Sequence, residues 1–176
     1  MPELSVPVLR VRPSFLAAMA EFADEGRAGD SSMVGADLSR YGATWHTDAG
    51  FAGYVADVLA EKVTPRRPGW VPSTTLWWLE ETEYLGRIAI RHELTDFLRE
   101  AGGHIGYDVR RSRRREGHAT AMLRAALPEA ERLGIDPALV TCDDANAASR
   151  KVIEAAGGML EDQRGVKLRF WVPTGG

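Results

Sequence analysis

The chain has 176 residues, 44% hydrophobic and 27% charged, with a formal net charge of −3, which predicts one globular domain spanning residues 1–176. The negative net charge argues against a general polyanion binder, so any anion site has to be a local cluster. The single cysteine, Cys142, excludes an internal disulfide framework and a cysteine-rich zinc site, and we expect no metal.

The N-terminal region carries no recognisable targeting signal. Its first apolar stretch, residues 15–22, is short and is interrupted by Glu21. A stretch of this length predicts neither a membrane span nor a signal peptide. We therefore expect a cytoplasmic protein without a membrane partner.

The first half of the chain alternates between helical and extended patterns. In chain order we predict an edge strand at 4–12, helices at 14–27 and about 51–59, and two antiparallel strands at 74–80 and 84–91. Pro13 stops the first strand, and Ser14 is the predicted cap of the first helix. Residues 29–48 have no clear period and are predicted to be a loop near a substrate.

The second half has a sharper pattern. We predict helical turns around 94–98, a strand at 104–110, a basic loop at 111–116, a helix at 117–133, a strand at 138–142, a helix at 146–156 and a half-buried strand at 166–172. Pro128 removes one backbone donor from the longer helix and can kink it. This order of elements predicts a mixed α/β or α+β sheet protein.

The basic loop has the composition of an anion site. Five of the six residues from Arg110 to Arg115 are arginine, and the next helix opens with Gly117 and Ala119. A helix N-terminus presents free N–H groups and a partial positive charge, and a glycine lets the backbone approach a ligand closely. The loop is therefore predicted to cradle a phosphate or pyrophosphate.

Other interpretations of this loop stay open. An arginine cluster is often only a solvated basic face, or part of a nucleic-acid surface, although the net charge argues against the latter. The segment does not match the dinucleotide-binding motif, because a third glycine and an acidic residue after the next strand are missing. The P-loop motif fails because Gly-Lys-Ser/Thr is absent.

The segment Arg114–Ala119 resembles the coenzyme loop of the GNAT superfamily of N-acyltransferases, Arg/Gln-x-x-Gly-x-Gly/Ala. A second block after the next strand is similar to the family pattern, with Asn146, Ser149, Val152 and Gly157. The resemblance covers about residues 104–158 specifically and residues 1–73 only weakly. The run Gly103–Tyr107, with the Gly157-Gly158 ending, looks like a "predicted acetyltransferase" branch of the superfamily.

The resemblance implies a GNAT-like fold, with a mixed, mostly antiparallel central sheet flanked by helices and two splayed strands that admit acetyl-CoA. It implies backbone contacts to the coenzyme at residues 108–110, with a β-bulge that aims an N–H at the thioester carbonyl. The implied coenzyme-binding residues are Asp108, Val109, Arg110, Arg114, Arg115, Glu116, Gly117, His118, Ala119, Asn146 and Ser149. The segment 1–73 would shape the acceptor site.

The resemblance further implies acetyl transfer to an amine, which needs a base and a proton for the leaving thiolate. His104 is the first candidate base, with Glu93 and Asp143 as weaker ones; a packed histidine bonded to backbone is the alternative for His104. The family's usual acid is a tyrosine seven residues after the motif asparagine, and this chain has Ile153 there. Tyr107 or a water could substitute.

Three other side-chain types have both structural and functional interpretations. Asn146 could bind the pantetheine, or bind a water near the sulfur as a catalytic residue, or cap its helix. Cys142 is either a small core residue or an acyl carrier. Trp77 and Trp78 must face opposite sides of their strand, so one is a core residue and the other could line an acceptor site. Trp45 and Trp70 are possible pocket walls.

The sequence therefore predicts an acetyl-CoA-dependent N-acetyltransferase that uses a small-molecule or peptide amine and binds no nucleic acid. A non-catalytic acyl-CoA-binding or sensing module is the alternative, favoured by the missing tyrosine at Ile153. The identity of the amine stays open, and a homodimer is possible because dimers are common in the family.

Overall fold

The computed structural model describes residues 1–176. Its strands are β1 (Glu3–Ser5), β2 (Ser73–Glu80), β3 (Glu83–Arg91), β4 (Ile105–Val109), β5 (Ala138–Asp143), β6 (Met159–Arg164) and β7 (Lys167–Val172). Its helices are α1 (Arg12–Asp24), α2 (Met33–Tyr41), α3 (Asp48–Ala60), α4 (Asp96–Glu100), α5 (His118–Arg132) and α6 (Ala147–Ala155). None of the helices has the length and apolar character needed to cross a bilayer.

The strands form two antiparallel sheets. One has the order β1-β2-β3-β4 and the other has the order β5-β7-β6. Helices cover both faces of the larger sheet, so the predicted mixed α/β fold with a mostly antiparallel sheet is confirmed. Strand β4, at the edge of the larger sheet, lies next to β5, at the edge of the smaller sheet.

The two sheets are joined only where β4 begins. The amide of His104 donates to the carbonyl of Leu139 at 2.7 Å. Gly103 has φ +60°, and a Cβ there would lie 2.4 Å from that same carbonyl oxygen, so this junction requires a glycine. No hydrogen bond joins β4 itself to β5, which leaves a gap between the strands beyond the junction. The predicted splay of these two strands is therefore present.

Two hydrophobic cores lie on opposite faces of the larger sheet. One contains Trp78 and the apolar residues of α5, β5 and β7, and the other contains Trp77 and the apolar residues of α1, α2 and α3. The two tryptophans are 5% and 0% exposed, so the expectation that one of them could line an acceptor site is wrong. Trp45 is also buried, against Phe15 in the second core.

Several N-terminal predictions need correction. The predicted loop 29–48 contains helix α2, which is capped by Ser32 and packs Val34 into the second core. Ser14 lies inside α1 and accepts a hydrogen bond from the amide of Tyr84, and Pro13 occupies the first turn of that helix. The predicted first strand shrinks to three residues followed by a short 3₁₀ turn.

An ion cluster lies between the N-terminal helices and the sheet. Asp37, which is 2% exposed, accepts from Arg66 at 2.8 Å through Oδ1 and from Arg87 at 2.6 Å through Oδ2. Tyr54 donates to the same carboxylate at 3.0 Å. Burial alone would raise the pKa of Asp37, but Arg87 and Arg66 hold that pKa below its ordinary value. Asp37 therefore stays ionised and neutralises buried guanidinium charge.

We expect Asp37→Asn to lower the free energy of unfolding by roughly 3–5 kcal/mol, because it leaves buried guanidinium groups without their counter-ion. Asp57→Asn is the matched control, since Asp57 is exposed and only accepts a hydrogen bond from Tyr41. Urea unfolding at pH 7 measures both variants. Equal losses in the two would contradict the role given to Asp37.

Candidate active site

The basic loop ends in an open helix N-terminus. Gly117 is the N-cap residue of α5 with φ +82°, a conformation that other residues adopt only with strain. No side chain caps the first turn of this helix, so its amides are free to receive an acceptor from outside. No heavy atom lies within 4 Å of the position of a Cβ on Gly117, and the backbone there is open to a ligand.

One arginine of the loop is part of its support. Arg110 is buried and donates to Glu21 of α1 at 2.5 Å through Nη2, and Ser112 donates its amide to the same carboxylate at 3.0 Å. Burial would raise the pKa of Glu21, but the hydrogen bonds from Arg110 and Ser112 lower it to about 2. The carboxylate of Glu21 thus holds the loop against the N-terminal helix.

Two other arginines of the loop are paired with carboxylates. Arg113 pairs with Glu83 and Glu116, and Arg114 pairs with Glu25 and donates from Nε to the carbonyl of Val109 at 2.9 Å. These carboxylates and the Val109 carbonyl position the two guanidinium groups along the loop. A nucleic-acid surface, in contrast, uses cations that are free to neutralise phosphates. Arg115 is exposed, with φ +67°, and has no ion pair within the protein.

Two cavities meet at the gap between β4 and β5. The loop cavity, of about 650 Å³, lies between the basic loop, the N-terminus of α5 and the first turn of α6. The sheet cavity, of about 570 Å³, lies over the ends of β2, β3 and β4 beside the segment 61–71. Four residues line both cavities, namely Tyr107, Asp108, Asn146 and Ser149. A ligand in the loop cavity can therefore meet a second ligand in the sheet cavity at this junction.

The loop cavity gathers most of the predicted coenzyme residues. The nine that line it are Asp108, Val109, Arg114, Arg115, Gly117, His118, Ala119, Asn146 and Ser149. Arg110 and Glu116 do not line it, because Arg110 faces Glu21 and Glu116 pairs with Arg113. His118 accepts from Trp78 Nε1 at Nδ1 and donates from Nε2 to Glu116, so its ring is held by the protein.

The backbone of β4 offers a narrower set of amides than predicted. The amide of Arg110 donates to Leu85 on β3, and by antiparallel alternation the amide of Asp108 also faces β3. The amide of Val109 faces the gap. The β3–β4 ladder is regular, so the β-bulge expected from the resemblance is absent. Of the three residues 108–110, only Val109 has an amide on the free edge.

A tyrosine hydroxyl stands at the junction of the cavities. Tyr107 Oη lies 2.7 Å from Ser149 Oγ, and burial raises the pKa of Tyr107 to about 12, against a lowering by the Ser149 hydrogen bond. The hydroxyl is therefore protonated at neutral pH. Ile153, at the family's tyrosine position, is fully buried in the core one turn beyond Ser149 and lines neither cavity.

Asn146 caps its helix and keeps one polar group free. Its Oδ1 accepts from the amide of Ser149 at 3.0 Å and so caps α6, while its Nδ2 has no hydrogen bond within the protein. Cys142 is 6% exposed and lines the sheet cavity. Burial, with the nearby charge of Asp143, raises the pKa of the Cys142 thiol, so the thiol is neutral at pH 7 and a weak nucleophile.

His104 lies outside both cavities, which corrects the prediction that it is the base. It is 9% exposed, and its Nδ1 accepts from the amide of Leu139 at 2.9 Å. Burial and the charges of Arg99 and Arg91 lower the pKa of His104 to about 4. The alternative considered for it, a packed histidine bonded to backbone, describes its position.

The two weaker base candidates also fail on geometry. Glu93 is exposed and lines neither cavity. Asp143 lines only the sheet cavity and is not among the residues shared by the two cavities, and its carboxylate pairs with Lys167 at 2.5 Å. The remaining carboxylate at the junction is Asp108, whose Oδ1 accepts from Arg27 at 3.1 Å and whose Oδ2 has no hydrogen bond within the protein.

The sheet cavity also contains functional candidates that the sequence pattern did not reveal. They are Glu61, Arg66, Arg87 and Arg91, which are scattered along the chain and lack a motif. Trp70 lines this cavity and is 38% exposed, as expected of a pocket wall. The alternation within β3 places Arg87 and Arg91 on one face and is the signal that could have grouped them.

Comparisons with known proteins agree with this geometry. A family model described as acetyltransferase (GNAT) domain matches residues 21–159. Mycobacterium smegmatis RimJ in complex with CoA-disulfide superposes with a TM-score of 0.67 at 17% identity, covering 98% of this chain and 81% of that one. The Vibrio fischeri ribosomal-protein-S5-alanine acetyltransferase gives 0.67 at 11% identity, covering 98% and 93%.

A third structure, the microcin C7 self-immunity acetyltransferase MccE in complex with acetyl-CoA and AMP, has a TM-score of 0.65 at 13% identity and covers 98% of this chain and 92% of that one. At these identities the structural likeness concerns the fold. A search of curated proteins gives no significant sequence match.

The depressed pKa of His104 predicts a pH-dependent stability. The pKa of His104 in the folded protein lies below its unfolded value of about 6.5. The free energy of unfolding is therefore highest above pH 6.5, where the imidazole is neutral in both states, and it decreases as the pH falls toward 4. His104→Asn keeps an acceptor for Leu139 but cannot take up a proton. We expect its unfolding free energy to lose about 2 kcal/mol less than that of the wild type between pH 6.5 and pH 4.

His46→Asn is the control, because His46 is exposed. Denaturant unfolding across this pH range measures all three proteins. If His104→Asn and the wild type lose stability in parallel, His104 is not a buried neutral imidazole.

Proposed function

Because the chain belongs to the GNAT acetyltransferase family, we propose that it moves the acetyl group of acetyl-CoA to a primary amine by direct attack in a ternary complex. The observation that carries this proposal is the meeting of two cavities at the gap between β4 and β5. The loop cavity would hold the coenzyme, and the sheet cavity would hold the amine. The neighbours solved with CoA-disulfide and with acetyl-CoA support the choice of cosubstrate.

The loop cavity has the features that a diphosphate requires. Its wall includes the uncapped N-terminus of α5 at Gly117 and the side chains of Arg114 and Arg115. Free amides and guanidinium groups both bind anionic oxygens. The Val109 amide on the free edge of β4 is the candidate donor for the thioester carbonyl, and it would stabilise negative charge on that oxygen during attack.

We assign the proton transfers to side chains at the junction. The free Oδ2 of Asp108 would accept a proton from the attacking amine, directly or through a water. The hydroxyl of Tyr107 would give its proton to the departing thiolate and recover one through Ser149. Tyr107 thereby takes the place of the tyrosine that the family has where this chain carries Ile153.

Direct attack is favoured over an acyl-cysteine route. Cys142 is the only thiol of the chain, and its pKa is raised by burial and by the charge of Asp143. A neutral thiol is a poor nucleophile, and the nearby cations Arg150 and Lys167 do not offset the effect of burial on its pKa. We place the reaction in the cytoplasm and propose a small-molecule or peptide amine as the acceptor.

Titration with acetyl-CoA tests the coenzyme site. We expect Gly117→Asp and Arg114→Ala each to raise the dissociation constant at least tenfold, because the first adds a negative charge at the diphosphate and the second removes a positive one. Arg132→Ala is the control, since Arg132 lies at the far end of the same helix. Wild-type affinity in both loop variants would refute the assignment of this cavity to the coenzyme.

Replacement of the junction tyrosine tests the general acid. We expect Tyr107→Phe to lower kcat about 100-fold while the dissociation constant of acetyl-CoA changes less than about threefold, since general acids contribute at least that factor. Tyr84→Phe is the matched control, because the Tyr84 hydroxyl is buried, unbonded and lines neither cavity. Steady-state kinetics with a thiol readout measures both. An unaffected kcat in Tyr107→Phe would rule it out as the acid.

A further inference from the structure

The sheet cavity contains one arginine that lacks a carboxylate partner. Arg91 lines this cavity, and its Nη1 donates to the carbonyls of Gly102 at 3.0 Å and Gly103 at 3.1 Å. Its Nε and Nη2 have no hydrogen bond within the protein, and no acidic side chain forms an ion pair with it. A guanidinium in a partly buried cavity with unused donors is suited to an anionic ligand.

The other charges of the sheet cavity are already matched. Glu61 pairs with Arg66 at 3.0 Å, Lys167 pairs with Asp143 at 2.5 Å, and Arg87 pairs with Asp37 behind the cavity wall at 2.6 Å. Arg91 is thus the one cation of the lining whose charge the protein leaves uncompensated. A ligand anion at this place would complete the pairing.

A carboxylate lies at the junction end, and its ion-pair partner Arg27 is shared with Asp30, so its charge is only partly compensated. Asp108 has one carboxylate oxygen without a hydrogen bond and lines both cavities. Both Nη atoms of Arg91 lie 3.7 Å from the position that a Cβ on Gly106 would take, so the guanidinium lies over Gly106. Gly106 and Asp108 are two residues apart on β4, so their backbone positions are about 7 Å apart.

We propose that the acetyl acceptor is a zwitterion, an amine whose anionic group, a carboxylate or a phosphate, binds Arg91 while its nitrogen lies at Asp108. This inference rests on the proposed function and adds the chemical class of its substrate. Because each hydrogen-bonded contact itself takes up about 3 Å of this span, both an α-amino acid and an amine a few bonds further from its anion can bridge the two positions.

A peptide N-terminus fits this cavity less well. The group that follows its amine is a neutral peptide bond, which leaves the charge of Arg91 unpaired, and burying an unpaired charge is costly. The cavity would accept a peptide only if an acidic side chain reached Arg91. The amide analogues in the experiment below separate these cases.

The test uses the full-length protein with acetyl-CoA and a series of ω-amino acids that contain one to five methylene groups, each compared with its primary amide. The amide has nearly the shape of the acid without its charge. We expect kcat/KM for the best acid to exceed that for its amide at least tenfold. In Arg91→Gln this ratio should fall to near one, and in Arg91→Lys it should be intermediate.

Arg99→Gln is the matched control, because Arg99 is exposed, is near His104 and does not line the cavity, and its acid-to-amide ratio should stay at the wild-type value. Aminoalkyl phosphates, compared with the corresponding amino alcohols, show whether phosphate replaces carboxylate. Isothermal titration with the N-acetylated acids and amides provides a second readout that needs no turnover and shows whether each variant is folded.

Three outcomes would overturn the inference. They are equal use of acids and amides by the wild type, an acid preference that survives in Arg91→Gln, and turnover of peptides or polyamines alone. Each leaves the proposed function standing, because an amine is still acetylated. Failure of acetyl-CoA to bind the wild-type loop cavity would instead refute the proposed function itself.

Discussion

The architecture of this protein depends on a single backbone junction between two sheets. The amide of His104 reaches Leu139, Gly103 allows that approach, and no hydrogen bond joins β4 to β5 beyond it. A strand edge without a partner exposes polar groups that need another acceptor or donor. In this protein that edge borders two cavities, so its unpaired backbone groups are accessible to a ligand.

The buried ion pairs around this gap hold the basic loop and the N-terminal helices against the sheet. Glu21 holds the basic loop through Arg110, and Asp37 holds Arg66 and Arg87 between the N-terminal helices and the sheet. Removing water from such pairs is costly, and they persist because each ion has a partner. The N-terminal segment, whose sequence resembles the family only weakly, thus positions the loop with the family motif and builds one wall of the sheet cavity.

The proposed use of Tyr107 in place of the family's tyrosine is supported by the packing of α6. Ile153 is enclosed by the core, and a Cβ on Gly158 would lie 2.6 Å from its side chain, so no polar group fits there. Ser149, one turn earlier on α6, instead faces the cavity and bonds Tyr107 from β4. A hydroxyl supplied from the strand can reach the same junction as one supplied from the helix, because both elements border the gap.

The sequence by itself determined most periodic elements of the second half and the place of the basic loop before a helix start, since a local pattern of strand, glycine and helix start does not need distant partners. It could not show helix α2, whose apolar residues are explained only by the core they enter, nor strand β6, which is exposed on most of its length. Only the tertiary structure decided that His104 is packed, that Tyr107 stands at the junction, and that Arg91 lacks a counter-ion. These three features depend on contacts between side chains that are far apart in the sequence, and local sequence patterns do not show such contacts.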